Sequence, residues 1–197
     1  NLGELFRISG NYKKAIANYK KVLNLNESNT TAKFGLINCK GLICDWNNQD
    51  IEDKWKNDVG INGEPVNPYL FFLYDDNPIN HLKRSKKYAR KNFQRNATSY
   101  LNIKQNEKIR IGYFSADFRD HPVTHLLLSF LEFHNKNKFE IFLYSFGLKE
   151  DIYTDRLKTL GFNFKNIKNL NEQETVKLVR LDNLNIAIDL MGYTDQN

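Results

Sequence analysis

The chain has 197 residues, 41% of them hydrophobic and 26% charged, with a net charge of +6. This length fits one large domain or two small pieces; the apolar content excludes wholesale disorder, and no apolar run reaches the roughly 18–20 residues of a membrane span. Lys and Arg are scattered over every segment among many Asn and Ile, as on solvated surfaces, so neither a nucleic-acid nor a membrane partner is expected.

The first segment reads as helices. Leu2, Leu5 and Phe6, then Ala15, Ile16, Tyr19, Val22 and Leu23, recur at three- and four-residue spacings around the turn Ser9-Gly10-Asn11. That pattern predicts two amphipathic helices of about a dozen residues in an αα-hairpin. The same residues fit the tetratricopeptide repeat of about 34 residues: Gly3 and Ala15 are small where the helices approach, and Tyr19 fills the adjoining groove. Glu27 stands where such a repeat usually closes with Pro. A third helix, about Thr31 to Leu42, would begin the next repeat. One and a half repeats bury no solenoid core alone, so residues 1–45 read as the end of an array whose earlier repeats precede Asn1. A start on Asn without a signal peptide agrees with a fragment. Cys39 and Cys44 have no second pair and no nearby His, which fits neither a disulfide framework nor a zinc site and suits a reducing cytoplasm.

Residues 46–106 read as a connector. Ile51 to Val59 predicts a short helix and Gly60 to Pro68 a loop. Asp76-Asn77-Pro78 predicts a helix start running to about Phe93, and Asn96 to Asn106 a polar linker. Lys83, Arg84, Lys86, Lys87, Arg90, Lys91 and Arg95 recur at helical spacing; they are read as a solvated face, with a polyanion site as the competing reading. The Asn-x-Ser/Thr triplets at Asn26, Asn29 and Asn96 are what an Asn-rich chain produces by chance.

After Glu107 the pattern changes. Strands are predicted at Ile109–Phe114, Phe139–Ser145, Phe162–Ile167 and Ile186–Leu190, alternating with helices at Pro122–Phe133, Asp151–Leu160 and Asn171–Leu181. This alternation predicts a parallel, doubly wound, Rossmann-like sheet over residues 107–197, following the helical repeats in an α plus α/β chain. Its ligand crevice lies beyond the carboxyl ends of the strands.

The densest chemistry follows the first strand: Ser115-Ala116-Asp117-Phe118-Arg119-Asp120-His121-Pro122-Val123-Thr124-His125. Pro122 suits a first helical turn, which makes His121 the N-cap facing the crevice. The helix N-terminus favours a neutral ring able to take a proton, and Asp117 could orient it or hold that proton. His125 follows one turn later on the same face. The loop also fits a plain capping network through Asp120, and Asp117, His121 and His125 could be metal ligands, although no general-base Glu stands between the histidines. Asp189-Leu190-Met191-Gly192-Tyr193-Thr194 is a second candidate, with a polar strand stop as its plainer reading. No Gly-rich phosphate loop follows any strand, and Ser145-Phe146-Gly147 is too short to count as one.

Taken together, the repeat end, Cys44-Asp45-Trp46, Pro68-Tyr69, the block from Ile109 to Leu126, Phe139 to Ser145 and Asp189 to Thr194 resemble the protein O-GlcNAc transferase and SPINDLY family, glycosyltransferase family 41, in its bacterial form. The resemblance implies an incomplete two-lobed GT-B enzyme behind a superhelix of repeats. Such enzymes move a sugar from a nucleotide-sugar, UDP-GlcNAc or another, to Ser or Thr of protein acceptors, with inversion and without a metal or other cofactor. It implies that Asp117 and His121 face the reacting hydroxyl and that His125, Tyr69 and Tyr193 are substrate-binding. Animal members carry His where Tyr69 stands and Thr where Val123 stands. The donor lobe, with its Lys, is expected beyond Asn197, which leaves the fragment alone inactive. A non-catalytic tetratricopeptide adaptor that binds peptides is the alternative.

Overall fold

The computed structural model describes residues 2–47, 49–93 and 107–194, apart from the side chains of residues 49–52. The chain divides into two compact units, Asn1–Ala97 and Thr98–Asn197. The expected linker from Asn96 to Asn106, the triplet at Asn96 and Arg95 of the basic cluster lie outside the described residues.

The first unit is helical: α1 (Leu2–Ile8), α2 (Tyr12–Leu25), α3 (Thr30–Leu42), α4 (Gln49–Lys56), a 3₁₀ turn (Tyr69–Leu73) and α5 (Pro78–Asn92). Gly10 turns the chain between α1 and α2 at φ +73°, and Asn11 and Asn29 cap α2 and α3 by accepting the amides of Lys14 and Ala32. α1 is shorter than the expected dozen residues, because the turn at Ser9-Gly10 ends it after Ile8. Ala15, Ile16, Tyr19, Ala32, Leu36 and Cys39 form the shared core. Tyr19 is fully enclosed, with Gly3 and Gly35 against its ring; a Cβ at Gly35 would fall 2.3 Å from Tyr19 Cζ. The expected close approach is therefore present, and Gly35 completes it. The Tyr19 hydroxyl donates to Glu4 Oε2 at 2.8 Å, and Arg7 holds the same carboxylate. Burial pushes the Cys39 thiol up to about 11, which keeps it protonated.

Arg84 corrects the reading of the basic run as a solvated face. Its side chain is wholly buried: Nε donates to Val59 O at 2.8 Å, Nη2 donates to Lys56 O, Nη1 pairs with Asp75 Oδ2 at 2.7 Å, and the guanidinium lies 4.1 Å from the Phe71 ring centroid. Interior carbonyls and a carboxylate need a fork of donors, which Arg supplies and Lys does not. Lys87 and Lys91 reach Ile61 O and Glu64, while Lys83, Lys86 and Arg90 are exposed.

The second unit runs β1 (Ile109–Ser115), α6 (Pro122–Glu132), β2 (Phe139–Ser145), α7 (Ile152–Thr159), β3 (Asn163–Asn166), α8 (Glu172–Leu181), β4 (Ile186–Asp189), in the predicted order. The four strands are parallel in the order β3-β2-β1-β4, with Ile109 opposite Phe139, Phe142 opposite Asn163 and Ile111 opposite Ile186. Alternation along the strands sorts the side chains. Ile111, Tyr113, Ile141 and Leu143 pack on Leu128, Leu131 and Leu157 of α6 and α7, while Phe114, Phe142 and Tyr144 pack with Leu178 and Val179 of α8. The chain steps from β1 outward to β3, then crosses back to place β4 on the other side of β1. The switch point, and with it the crevice, falls between the carboxyl ends of β1 and β4. Among the described residues no helix is long and apolar enough to cross a membrane.

Candidate active site

β1 delivers Ser115 to this switch point. Its fully buried hydroxyl accepts the Asp117 amide at 2.9 Å and donates to Met191 Sδ at 3.7 Å, so the loops after β1 and β4 meet there. Pro122 then opens α6 with His121 as its N-cap, Nδ1 accepting the Val123 N–H at 3.3 Å. With Nδ1 an acceptor, this network assigns the neutral ring its proton on Nε2. Asp117 stands beside it, 8% exposed, with Oδ1 accepting from Arg119 Nη2 at 3.1 Å and Oδ2 3.6 Å from His121 Nδ1. Among the described residues no hydrogen bond reaches Oδ2. The structure thus brings together Asp117 and His121, and it adds Arg119 to them.

Of the other expected residues, His125 lies one turn along α6, its N–H donating to His121 O at 3.1 Å. His125 Nε2 and Asp120 Oδ1 are 2.8 Å apart, and the His125 ring meets Tyr153 edge-on at 4.6 Å. Its ring is thereby engaged with Asp120 and α7. Tyr193 is half-buried in the turn after β4, where Gly192 adopts φ +58°. Asp189 builds that turn, its carboxylate accepting the Met191 and Gly192 amides at 2.9 and 3.2 Å, as a polar strand stop does. Tyr69 belongs to the helical unit, where it opens the 3₁₀ turn, half exposed and edge-on to Phe72. The described residues contain no group of three or more His, Cys, Asp or Glu that could hold a metal ion.

Sequence reading missed what holds the loop in place. Thr124 Oγ1 donates to Asp117 O; Thr154 Oγ1 donates to Phe118 O at 2.6 Å; Asp151 Oδ2 accepts the Asp120 N–H at 2.6 Å. Asp151 and Thr154 also form the capping box of α7. The Asp120 amide above all holds the Asp151 carboxyl below the usual range; burial pushes it up, and the amides of Thr154 and Tyr153 help to outweigh that. Gly147 lies against the loop from the β2 side: a Cβ there would fall 2.0 Å from Ala116 O. The capping-box spacing Asp151-x-x-Thr154 was readable in sequence, but its reach across to the β1–α6 loop was not.

With this geometry in hand, comparison with known proteins is direct. The model of glycosyl transferase family 41 matches residues 82–197, more than half of the chain. A probable UDP-N-acetylglucosamine--peptide N-acetylglucosaminyltransferase SEC of Arabidopsis thaliana is 26% identical over 178 residues, which is 81% of this chain and 18% of that protein. The probable SPINDLY enzyme of the same plant is 33% identical over 105 residues, 51% of this chain and 12% of that protein. The UDP-N-acetylglucosamine--peptide N-acetylglucosaminyltransferase of Caenorhabditis elegans is 26% identical over 179 residues, 78% of this chain and 15% of that protein. The chain therefore spans less than a fifth of these relatives' lengths. In fold, a mutant of the Thermobaculum terrenum O-GlcNAc transferase superposes with a TM-score of 0.61 at 22% identity, covering 99% of this chain and 39% of that one. The family match runs through the whole described α/β unit, including the Asp117 and His121 loop, and the chain belongs to glycosyl transferase family 41.

Proposed function

We propose that this chain is part of an inverting protein O-glycosyltransferase that moves a sugar, GlcNAc in the first instance, from a nucleotide-sugar to Ser or Thr hydroxyls of proteins in the cytoplasm. The helices of the first unit would then close a tetratricopeptide array, residues 46–106 would connect it, and residues 107–197 would be the leading lobe of a GT-B enzyme. One observation carries the reading: a buried carboxylate with an oxygen that no hydrogen bond reaches, beside an N-capping histidine, at the switch point of a parallel sheet. The names of the relatives, which give UDP-N-acetylglucosamine as donor and peptides as acceptors, support it.

In this reaction the acceptor hydroxyl oxygen bonds to the anomeric carbon as the bond from that carbon to the nucleoside diphosphate breaks. The hydroxyl proton passes to the Asp117–His121 pair. Arg119 holds Asp117 Oδ1 and orients the carboxylate, and the α6 N-terminus adds positive potential at the same point. The diphosphate charge is taken up by cationic groups outside this chain.

The test is transfer of labelled GlcNAc from UDP-GlcNAc to protein by the intact enzyme, with the label on Ser or Thr. Asp117→Asn is expected to lower transfer at least about a hundredfold while leaving donor-nucleotide binding in place. EDTA is expected to leave transfer unchanged, and the 197-residue chain alone to turn over nothing. An intact protein that transfers no sugar from any nucleotide-sugar yet binds peptides would establish the adaptor reading instead.

A further inference from the structure

We infer that Asp151 and Thr154, in the first turn of α7, are positioning residues for the Asp117–His121 pair; the inference rests on the transfer reaction proposed above. Thr154 is fully buried, and its hydroxyl has two partners, accepting the Asp151 N–H at 3.1 Å and donating to Phe118 O at 2.6 Å. A capping-box threonine needs only the first of these to start its helix. The second leaves the helix and fastens a loop 36 residues earlier in the chain. Asp151 divides its carboxylate in the same way: Oδ1 accepts the amides of Tyr153 and Thr154 at 3.0 and 3.2 Å, and Oδ2 takes the Asp120 N–H at 2.6 Å.

The two tethers fall on the chain immediately before and after Arg119. Phe118, whose carbonyl is held, follows Asp117; Asp120, whose amide is held, precedes His121. Arg119 between them holds Asp117 Oδ1 at 3.1 Å. On the near side the loop is fixed independently, by Ser115 Oγ on the Asp117 amide and by Thr124 Oγ1 on the Asp117 carbonyl. α7 therefore supplies the far half of a cage whose near half comes from β1 and α6. Among the described residues neither Asp151 nor Thr154 is hydrogen-bonded to the Asp117 or His121 side chain, so both act through the loop's backbone, where a displacement of about 1 Å is enough to cost about a hundredfold in rate.

The test compares Thr154→Val, which keeps the shape and removes the hydroxyl, with Thr154→Ser, which keeps the hydroxyl, in the intact enzyme assayed for sugar transfer and followed by thermal unfolding. Thr154→Val is expected to lower kcat about tenfold to a hundredfold with the donor KM within about twofold, and Thr154→Ser to recover most of kcat. Wild-type kcat in Thr154→Val would overturn the inference while leaving the transfer reading intact. So would loss of activity in both variants that merely follows their loss of folded protein. If Thr154→Val does not fold, Asp151→Asn gives the same readout: it keeps an oxygen on the α7 amides and weakens the charged hold on Asp120, so lowered kcat at unchanged KM supports positioning and unchanged kcat overturns it. An intact wild-type enzyme inactive with every nucleotide-sugar would remove the transfer reading itself, and this role with it.

Discussion

Asp75 in the helical unit and Asp117 in the α/β unit are each 8% exposed, yet they are held in opposite ways. Asp75 has a partner on each oxygen: Oδ1 accepts the Asn77 amide at 3.0 Å, and Oδ2 takes Asn80 Nδ2 at 3.2 Å and Arg84 at 2.7 Å. Asp117 has Arg119 on Oδ1 at 3.1 Å, while Oδ2 lies 3.6 Å from His121 Nδ1, beyond hydrogen-bond distance. Burial alone does not separate a structural carboxylate from a reactive one. On the reading proposed above, what separates them is whether the interior completes the set of partners, since a carboxylate oxygen without a protein donor is left to accept from a group that arrives from outside.

This contrast is broken or sharpened by exchanging the two acids for their amides. Asp75→Asn leaves Arg84 charged and enclosed without its counter-ion, and about 3–5 kcal/mol of stability should be lost from the helical unit. Both tryptophans of the 197-residue chain, Trp46 and Trp55, lie in that unit, so denaturant unfolding of this chain is followed by their fluorescence for the helical unit and by circular dichroism for the chain as a whole. Asp117→Asn should do the reverse, removing transfer while both unfolding curves stay in place. Equal loss of stability in both variants would end the distinction.

A smaller effect is expected at Gly147. A methyl group there meets the Ala116 carbonyl, so the loop that carries Asp117 has to move. Gly147→Ala should cost about 1–3 kcal/mol in the α/β unit and lower transfer more than donor binding. Crystallographic refinement of the variant would show whether Ala116 shifts; an unmoved loop with reduced activity would contradict this account.

The smallest effect is in acid. Burial pushes the Asp75 carboxyl up, but the Asn77 amide, Arg84 and Asn80 together outweigh it and hold the group below the usual carboxylate range. A depressed folded-state value means that the unfolded chain binds the proton first. The contribution is therefore complete above about pH 4 and is lost as pH falls through the depressed value. Tryptophan-monitored stability should fall in that window for the wild type, and the slope should flatten in Asp75→Asn.

The same contrast explains how much could be read beforehand. The helix starts at Asn77-Pro78 and His121-Pro122 were legible, because a cap followed by proline is a local signal with a local cause. The strand alternation was equally local, and it set the Asp117 and His121 loop at the carboxyl end of β1. Arg84 was not legible: its partners Val59 and Lys56 lie 25 and 28 residues away, and a guanidinium within a run of lysines carries no mark of being enclosed. Thr154 and Gly147 escaped for the same reason. Each acts on the β1–α6 loop through the neighbouring strand connection, a relation set by the sheet order rather than by spacing in the chain.

That sheet order also sets when the crevice comes into being. β2 and β3 add to β1 one after another as the chain lengthens, but the Arg110 amide waits for Asn185, 75 residues on, before β4 is seated. Closing so long a loop is slow compared with local pairing, and a growing polypeptide settles its early elements first. Ser115 therefore meets Met191 only at the final docking step, and a ribosome-bound chain ending before β4 has the loop of Asp117 and His121 but not the opposite wall. In this fold the crevice is completed only once β4 has been made and has docked beside β1.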